Sequence, residues 1–225
     1  MKKFIAITLI LSCTVALLKA QDYKPAAGDV ALELNFTPLS NQPIGLNYLK
    51  ARYFLADDMV FRIGLDVRIH SEKSEPDNAN DPDVQDEHKM SFTQFGIMPG
   101  IEKHFGNNER VSPYVGAEIG FTTKGASSEY TDNDANETTE YSGAWDMGGT
   151  QRGFTSFGVN ILAGADFYFV KKFYMGAELG FGLESTSHKE VEVTFDGDTE
   201  TVANKESSMD VGFNFNPAIR LGFSF

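Results

Sequence analysis

Two sets of residues have the types needed for nucleophilic chemistry: His70 with Ser71, and Ser185, Ser187 and His188. Hydrolysis of an ester or amide needs a nucleophile or activated water, a histidine base and a carboxylate that orients it, all within reach of one another. Both sets fall near the loop ends of extended segments, the right height for a substrate in the envelope. No catalytic signature accompanies them, and a His beside a Ser in a loop arises readily by chance. His88 and His104 have no recognisable partner. The reading is therefore non-enzymatic, with a rim hydrolase acting on envelope lipid as a second alternative.

Metal chemistry has one candidate. The run from Asp132 through Asn133, Asp134, Ala135 and Asn136 to Glu137 begins like a calcium loop, D-x-D-x-N. The glycine of the sharp turn and the distant bidentate glutamate are missing. Asp132, Asp134, Asn136 and Glu137 thus read first as part of a solvated, flexible loop, and second as a weak Ca²⁺ or Mg²⁺ site. No cofactor is expected. After the first twenty residues the chain has no cysteine, which excludes disulfides and thiolate sites there. An acidic balance argues against nucleic acid, which needs a basic stripe.

The elements that must position these groups are strands. From Met209 to Phe225, odd positions read Met, Val, Phe, Phe, Pro, Ile, Leu, Phe, Phe, while even positions are small, polar or charged. Only an extended chain separates two such sets. The same alternation predicts eight strands, roughly 28–38, 43–54, 59–71, 89–105, 112–124, 153–169, 173–190 and 207–225. Tyr48-Leu49 breaks the phase of the second, as a bulge would. Residues 114–121 (YVGAEIGF) echo 174–181 (YMGAELGF). Connections at 55–58, 106–110 and 170–172 are short. Those at 72–88, 125–152 and 191–206 are long, and with Glu190 just before the last they hold 19 of the chain's 32 acids. Asp196-Gly197 reads as a type I′ hairpin tip.

The polar face of these strands carries Glu33, Arg52, Arg62, Asp66, Arg68, Glu102, Glu118, Asp166, Glu178, Glu184 and Arg220. It also carries Gly96, Gly100, Gly116, Gly120, Gly176, Gly180 and Gly182. Glycine weakens a strand, so a solvated face would not favour it, whereas a crowded, narrow interior would. The charges are expected to pair across that interior and brace the wall. The apolar face carries phenylalanines in two groups. Phe105, Phe167, Phe169, Phe173 and Phe223 lie toward the short turns, and Phe36, Phe121, Phe157 and Phe181 toward the long loops. Phe213 and Phe225, twelve residues apart, span roughly 30 Å of membrane normal at ~3.3 Å per residue and ~40° tilt. The fold class is thus all-β: an eight-stranded antiparallel transmembrane β-barrel with short periplasmic turns and long acidic extracellular loops. After residue 20 no apolar run is long enough for a transmembrane helix.

Residues 1–20 have the layout of a signal peptide: Lys2 and Lys3, an apolar run from Phe4 to Leu18, then Lys19-Ala20-Gln21 at a cleavage point. Cys13 as a lipidated residue is the rival reading, disfavoured because the apolar run continues past it. Cutting after Ala20 leaves 21–225 as one barrel domain and moves the formal charge from −13 to −16, since three lysines and no acid are lost.

The hairpin DFYFVKKFYMGAELGFG (166–182) and the ending NPAIRLGFSF with Phe225 resemble the small outer-membrane β-barrel (porin-like) proteins of the OmpA/OmpX type. The resemblance covers essentially all of 21–225, although Gly222 sits nearer the end than the glycine usual in that family. It implies an outer-membrane location, contact with outer-membrane lipid, and recognition of the strand ending at Phe225 by the barrel-assembly machinery. It names no activity, because one architecture hosts many. The expected role is non-enzymatic: structural, adhesive or surface-recognising through the acidic loops. The first alternative is a narrow porin-like channel for small solutes or ions.

Overall fold

The computed structural model describes residues 23–36, 44–146, 150–215 and 219–225, with the backbone alone described at 44–48 and 214–215. The expected signal peptide, with Cys13 and the cut after Ala20, lies outside them. Among the described residues twelve strands form: β1 (Val30–Phe36), β2 (Ile44–Ala56), β3 (Met59–Ser74), β4 (Glu87–His104), β5 (Val111–Asp132), β6 (Glu137–Ser142), β7 (Phe154–Val170), β8 (Phe173–His188), β9 (Val191–Phe195), β10 (Asp198–Ala203), β11 (Glu206–Phe215) and β12 (Ile219–Ser224). All pairings are antiparallel. They close a ring of eight: β1, β2, β3, β4, β5, β7, β8, β12 and back to β1.

The expected last strand, 207–225, is two strands in succession on β8. β12 takes the end near Phe173 and β11 the end near His188. The remaining strands build a fin beyond the ring: β6 pairs the upper end of β5, β9 pairs β6, and β10 pairs β9. The loops expected to be solvated and flexible are therefore partly sheet. The β9–β10 hairpin matches the expected tip at Asp196-Gly197, flanked by the alternating Val191, Val193 and Phe195, whereas β6 (ETTEYS) is polar on both faces and carries no apolar alternation.

Local chemistry explains the turns. Asp196 and Gly197 both adopt positive φ, 50° and 82°, which is what the two-residue I′ turn between β9 and β10 requires. Lys172, at φ 63°, turns the chain between β7 and β8, and its N–H and C=O then meet Tyr23 O and Ser224 N at 3.0 and 2.9 Å. The phase break near Tyr48-Leu49 coincides with a register shift: Leu34 pairs Leu49, but Asn35 pairs Gly45.

Alternation sorts the two faces as expected. Ile161, Leu179, Val211 and Phe213 are exposed on the outside, whereas Arg52, Arg62, Tyr114, Glu102 and Asp166 are buried inside. Phe173 and Phe223 stack at 4.4 Å near the short turns, and Phe181 meets Phe213 at 5.0 Å toward the loops.

Candidate functional site: a charged plug inside the ring

The turn end of the interior is closed by apolar contacts. Tyr23, Ala31, Phe54, Val60, Tyr168 and Tyr174 form one buried cluster. Arg110 lies 4.3 Å over the Tyr23 ring and donates to its hydroxyl at 2.8 Å, so the segment before β1 is tied across the opening.

Above this cluster lies a layer of ion pairs to which every strand of the ring contributes. Arg52 on β2 is its hub, with a guanidinium 3.0 Å from Glu33, 3.1 Å from Glu102 and 2.6 Å from Asp166. Arg220 on β12 reaches Glu33 at 3.2 Å and Asp166 at 2.9 Å. Arg62 on β3 reaches Glu102 at 2.8 Å, Glu118 at 3.1 Å and Glu178 at 2.6 Å. Lys50 sits 3.3 Å from Glu178 and 3.9 Å from Glu33. Tyr174 donates to Glu33 at 2.7 Å and Tyr114 to Glu178 at 2.5 Å. Four cations face five carboxylates, and Arg52, Arg62, Glu102 and Asp166 are at most 1 % exposed. Buried ions survive only when paired in this way.

Glycine makes room for the layer. A Cβ at Gly222 would overlap the Tyr174 ring, one at Gly164 the Tyr114 hydroxyl, and one at Gly176 the Arg220 guanidinium and Asp166 carboxylate. Gly222→Ala is therefore expected to displace Tyr174 from Glu33 and cost about 1–3 kcal/mol, the usual range for overpacking. Gly212→Ala, which meets nothing within 4 Å, should leave stability unchanged. Urea midpoints of the two variants check this, and equal midpoints would mean the interior is loose.

Above the plug the interior opens. A cavity of about 310 Å³ is lined by Asn160, Gly182, Glu184, Asp210 and Gly212. Higher still, Trp145 packs against His70 and Phe92 at 5.0 and 5.1 Å, and the Lys124 ammonium lies 4.6 Å over Phe92.

Residues 40–225 match the sequence profile described as the "Putative OmpA-OmpF-like porin family". The chain belongs to that family. As a porin-family protein it lies in the outer membrane, and its apolar outer face is its lipid face. Among solved structures it is similar to the outer membrane protein OprG of Pseudomonas aeruginosa, at 12 % identity and TM-score 0.45, covering 91 % of this chain and 99 % of that one. It is also similar to the outer membrane protein AlkL, at 12 % identity and TM-score 0.40, covering 93 % of this chain and 95 % of that one. A third is CarO2 of Acinetobacter baumannii, at 10 % identity and TM-score 0.33, covering 88 % and 98 %. No curated protein matches the sequence.

In this porin-family chain, eight of the eleven charged residues expected on the inner face meet in one layer: Glu33, Arg52, Arg62, Glu102, Glu118, Asp166, Glu178 and Arg220. Three do not. Asp66 and Arg68 pair with each other at 3.0 Å, with Gln94 donating to Asp66 at 2.8 Å and Arg68 half-exposed. Glu184 is exposed in the open upper interior, where Thr186 meets its carboxylate. The layer also includes Lys50. Lys50 was missed because it sits beside the phase break, where alternation no longer assigns a face.

His104, without a partner in the sequence reading, sits between Ser112 at 2.9 Å and Glu102 at 3.2 Å and stacks on Tyr114. Nothing local signals this, since Ser112 is on the next strand. The order Ser–His–Glu looks like a catalytic relay, but Ser112 is 4 % exposed and His104 6 %, so the relay braces the plug.

The two sets of hydrolase candidates are not brought together. His70 is held by Phe92 and Trp145 on β3, and His188 lies against Phe154 on β8, with β4, β5 and β7 between them around the ring. The metal candidates are also engaged otherwise. The Asp132 carboxylate accepts from the N–H groups of Asp134 and Ala135 at 3.0 Å, and from Asn78 at 2.9 Å, so it closes the β5–β6 turn. Asn136 supplies the positive φ of that turn. Among the described residues no group of three or more His, Cys, Asp or Glu is placed to hold a metal. Nearby, Tyr130, Asn78 and the Asn133 N–H all donate to Asp86, which ties the 75–86 loop to β5. The Tyr130 hydrogen bond holds the Asp86 carboxyl below its usual range, and the same bond pushes the Tyr130 hydroxyl up to about 12.

Proposed function

We propose that this outer-membrane porin-family protein is an eight-stranded barrel with short turns in the periplasm and long acidic loops outside. Its lumen is sealed, and its role is non-enzymatic: structural, or recognition at the cell surface. The observation that carries this reading is the plug centred on Arg52, where four cations and five carboxylates fill the cross-section. Eight strands enclose a space that side chains can fill, so a layer of large paired residues leaves no continuous water path. The acidic fin and loops above the open upper lumen are the surface offered to partners. At the other end β12, paired to β1 and leading to Phe225, is the segment the assembly machinery would read.

A narrow channel is the second reading, favoured by the charge count. Five carboxylates against four cations leave one negative charge in excess, which would attract small cations if the pairs rearranged. Proteoliposome swelling separates the two readings for solutes. Vesicles carrying the protein are expected to swell in a small sugar no faster than empty vesicles, and faster swelling would establish the channel instead.

A further inference from the structure

The outward face of β3, β4 and β5 changes character in rows set by the strand register. Val67, Phe95 and Thr123 lie side by side. Ile69, Thr93 and Gly125 follow, then Ser71, Ser91, Ser127 and Ser142, then Lys73, Lys89, Glu129, Glu140 and Thr194. These residues continue the parity of the lipid face, since Phe61, Ile63 and Leu65 precede them on β3. Around the ring the changeover runs on through Thr123, Thr155, Ser187 and Ser207. The hydroxyls meet across strands: Ser91 and Ser127 at 3.0 Å, Ser187 and Ser207 at 3.3 Å, Thr123 and Thr155 at 3.4 Å. The apolar band therefore ends in hydroxyls, with charges in the row above.

At that height the outer face is concave. A groove of about 670 Å³ is lined by Ser71, Lys73, Ser91, Ser127, Glu129 and Glu140 among others, and a second hollow of about 480 Å³ shares Glu140 and continues to the exposed ring of Phe195. The lysines in it are already paired, Lys73 with Glu87 at 2.6 Å and Lys89 with Glu129 at 3.1 Å. The first groove is lined by two lysines and three glutamates, Glu72 being the third, so it has no cationic excess to attract phosphate. It does offer closely spaced donors and acceptors, as a neutral, hydroxyl-rich ligand requires. The groove is continuous with the lipid face below it, and the group directly above the acyl chains of an outer leaflet is the sugar of its glycolipid.

We propose that this groove docks the saccharide of the outer-leaflet glycolipid, holding it against the wall beside β3–β5. The proposal rests on the loops facing outward. The test uses detergent-purified protein and two probes: the phosphate-free oligosaccharide of the glycolipid freed of its acyl chains, and a phospholipid that has acyl chains but no sugar. The oligosaccharide is expected to bind, and the combined change Ser91→Ala, Ser127→Ala and Glu140→Gln to weaken it at least tenfold. These positions lie on the protein surface, and circular dichroism checks that the barrel is intact. No binding of the oligosaccharide, unchanged binding by the variant, or equally tight binding of the sugar-free phospholipid would each overturn the proposal. Loop orientation is read separately by labelling Asp198→Cys on intact cells. Absence of labelling there would refute the orientation, whereas the oligosaccharide result in detergent reads the groove itself.

Discussion

Replacing Arg52 with alanine is expected to destabilise the barrel more than any other single change in the lumen. Its guanidinium is the only group that touches Glu33, Glu102 and Asp166 together among the described ion pairs, and it is 1 % exposed. Without it Lys50, Arg62 and Arg220 face five carboxylates, and the nearest replacement for Glu102 is Arg62, already shared with Glu118 and Glu178. Removing one partner of a buried pair costs about 3–5 kcal/mol, because the surviving charge is stranded. Arg52→Met keeps most of the volume and loses the charge, so it should fall nearly as far if electrostatics dominate. Adding Glu102→Gln to Arg52→Ala should recover part of the loss, because one stranded charge goes with it. Urea unfolding followed by circular dichroism reads all three. An Arg52→Ala midpoint equal to the wild type would mean that lumen water already solvates these carboxylates.

Ile161→Arg is the second large effect. Ile161 is 65 % exposed on the outer face of β7, between Ala117 and Phe181 in register, with aromatic residues toward both ends of the wall. In water such exposure would make arginine harmless. In a bilayer, an arginine near the midplane of a barrel wall costs about 2–4 kcal/mol. The same substitution at Thr199, on the fin, should cost almost nothing. Equal tolerance at the two positions in lipid vesicles would show that β7 does not face lipid at Ile161.

These two expectations draw on different degrees of legibility in the sequence. The lipid face was readable residue by residue, because period-two alternation places Ile161, Leu179 and Val211 on one side without any knowledge of pairing. Glycines at 100, 116 and 176 marked a crowded interior for the same reason. Which lumen charges meet was not readable, since alternation gives a face and no height. Glu184 and Glu178 share a face of β8, yet Glu178 joins Arg62 while Glu184 stands three pleat repeats higher, opposite Asp210. His104 and Ser112 show the same limit, because their contact depends on the register between β4 and β5. The fin was only half legible: Val191, Val193 and Phe195 before Asp196-Gly197 mark the β9–β10 hairpin, but β6 is polar on both faces and its pairing with β9 depends on register.

The proposed sealing of the lumen is tested most directly by ions, the smallest probes of a continuous water path. Single-channel recording of the purified protein in a planar bilayer is expected to give no steady current above the bare membrane, at either polarity. A steady, cation-selective current through the wild-type protein would contradict the plug and establish a conducting lumen.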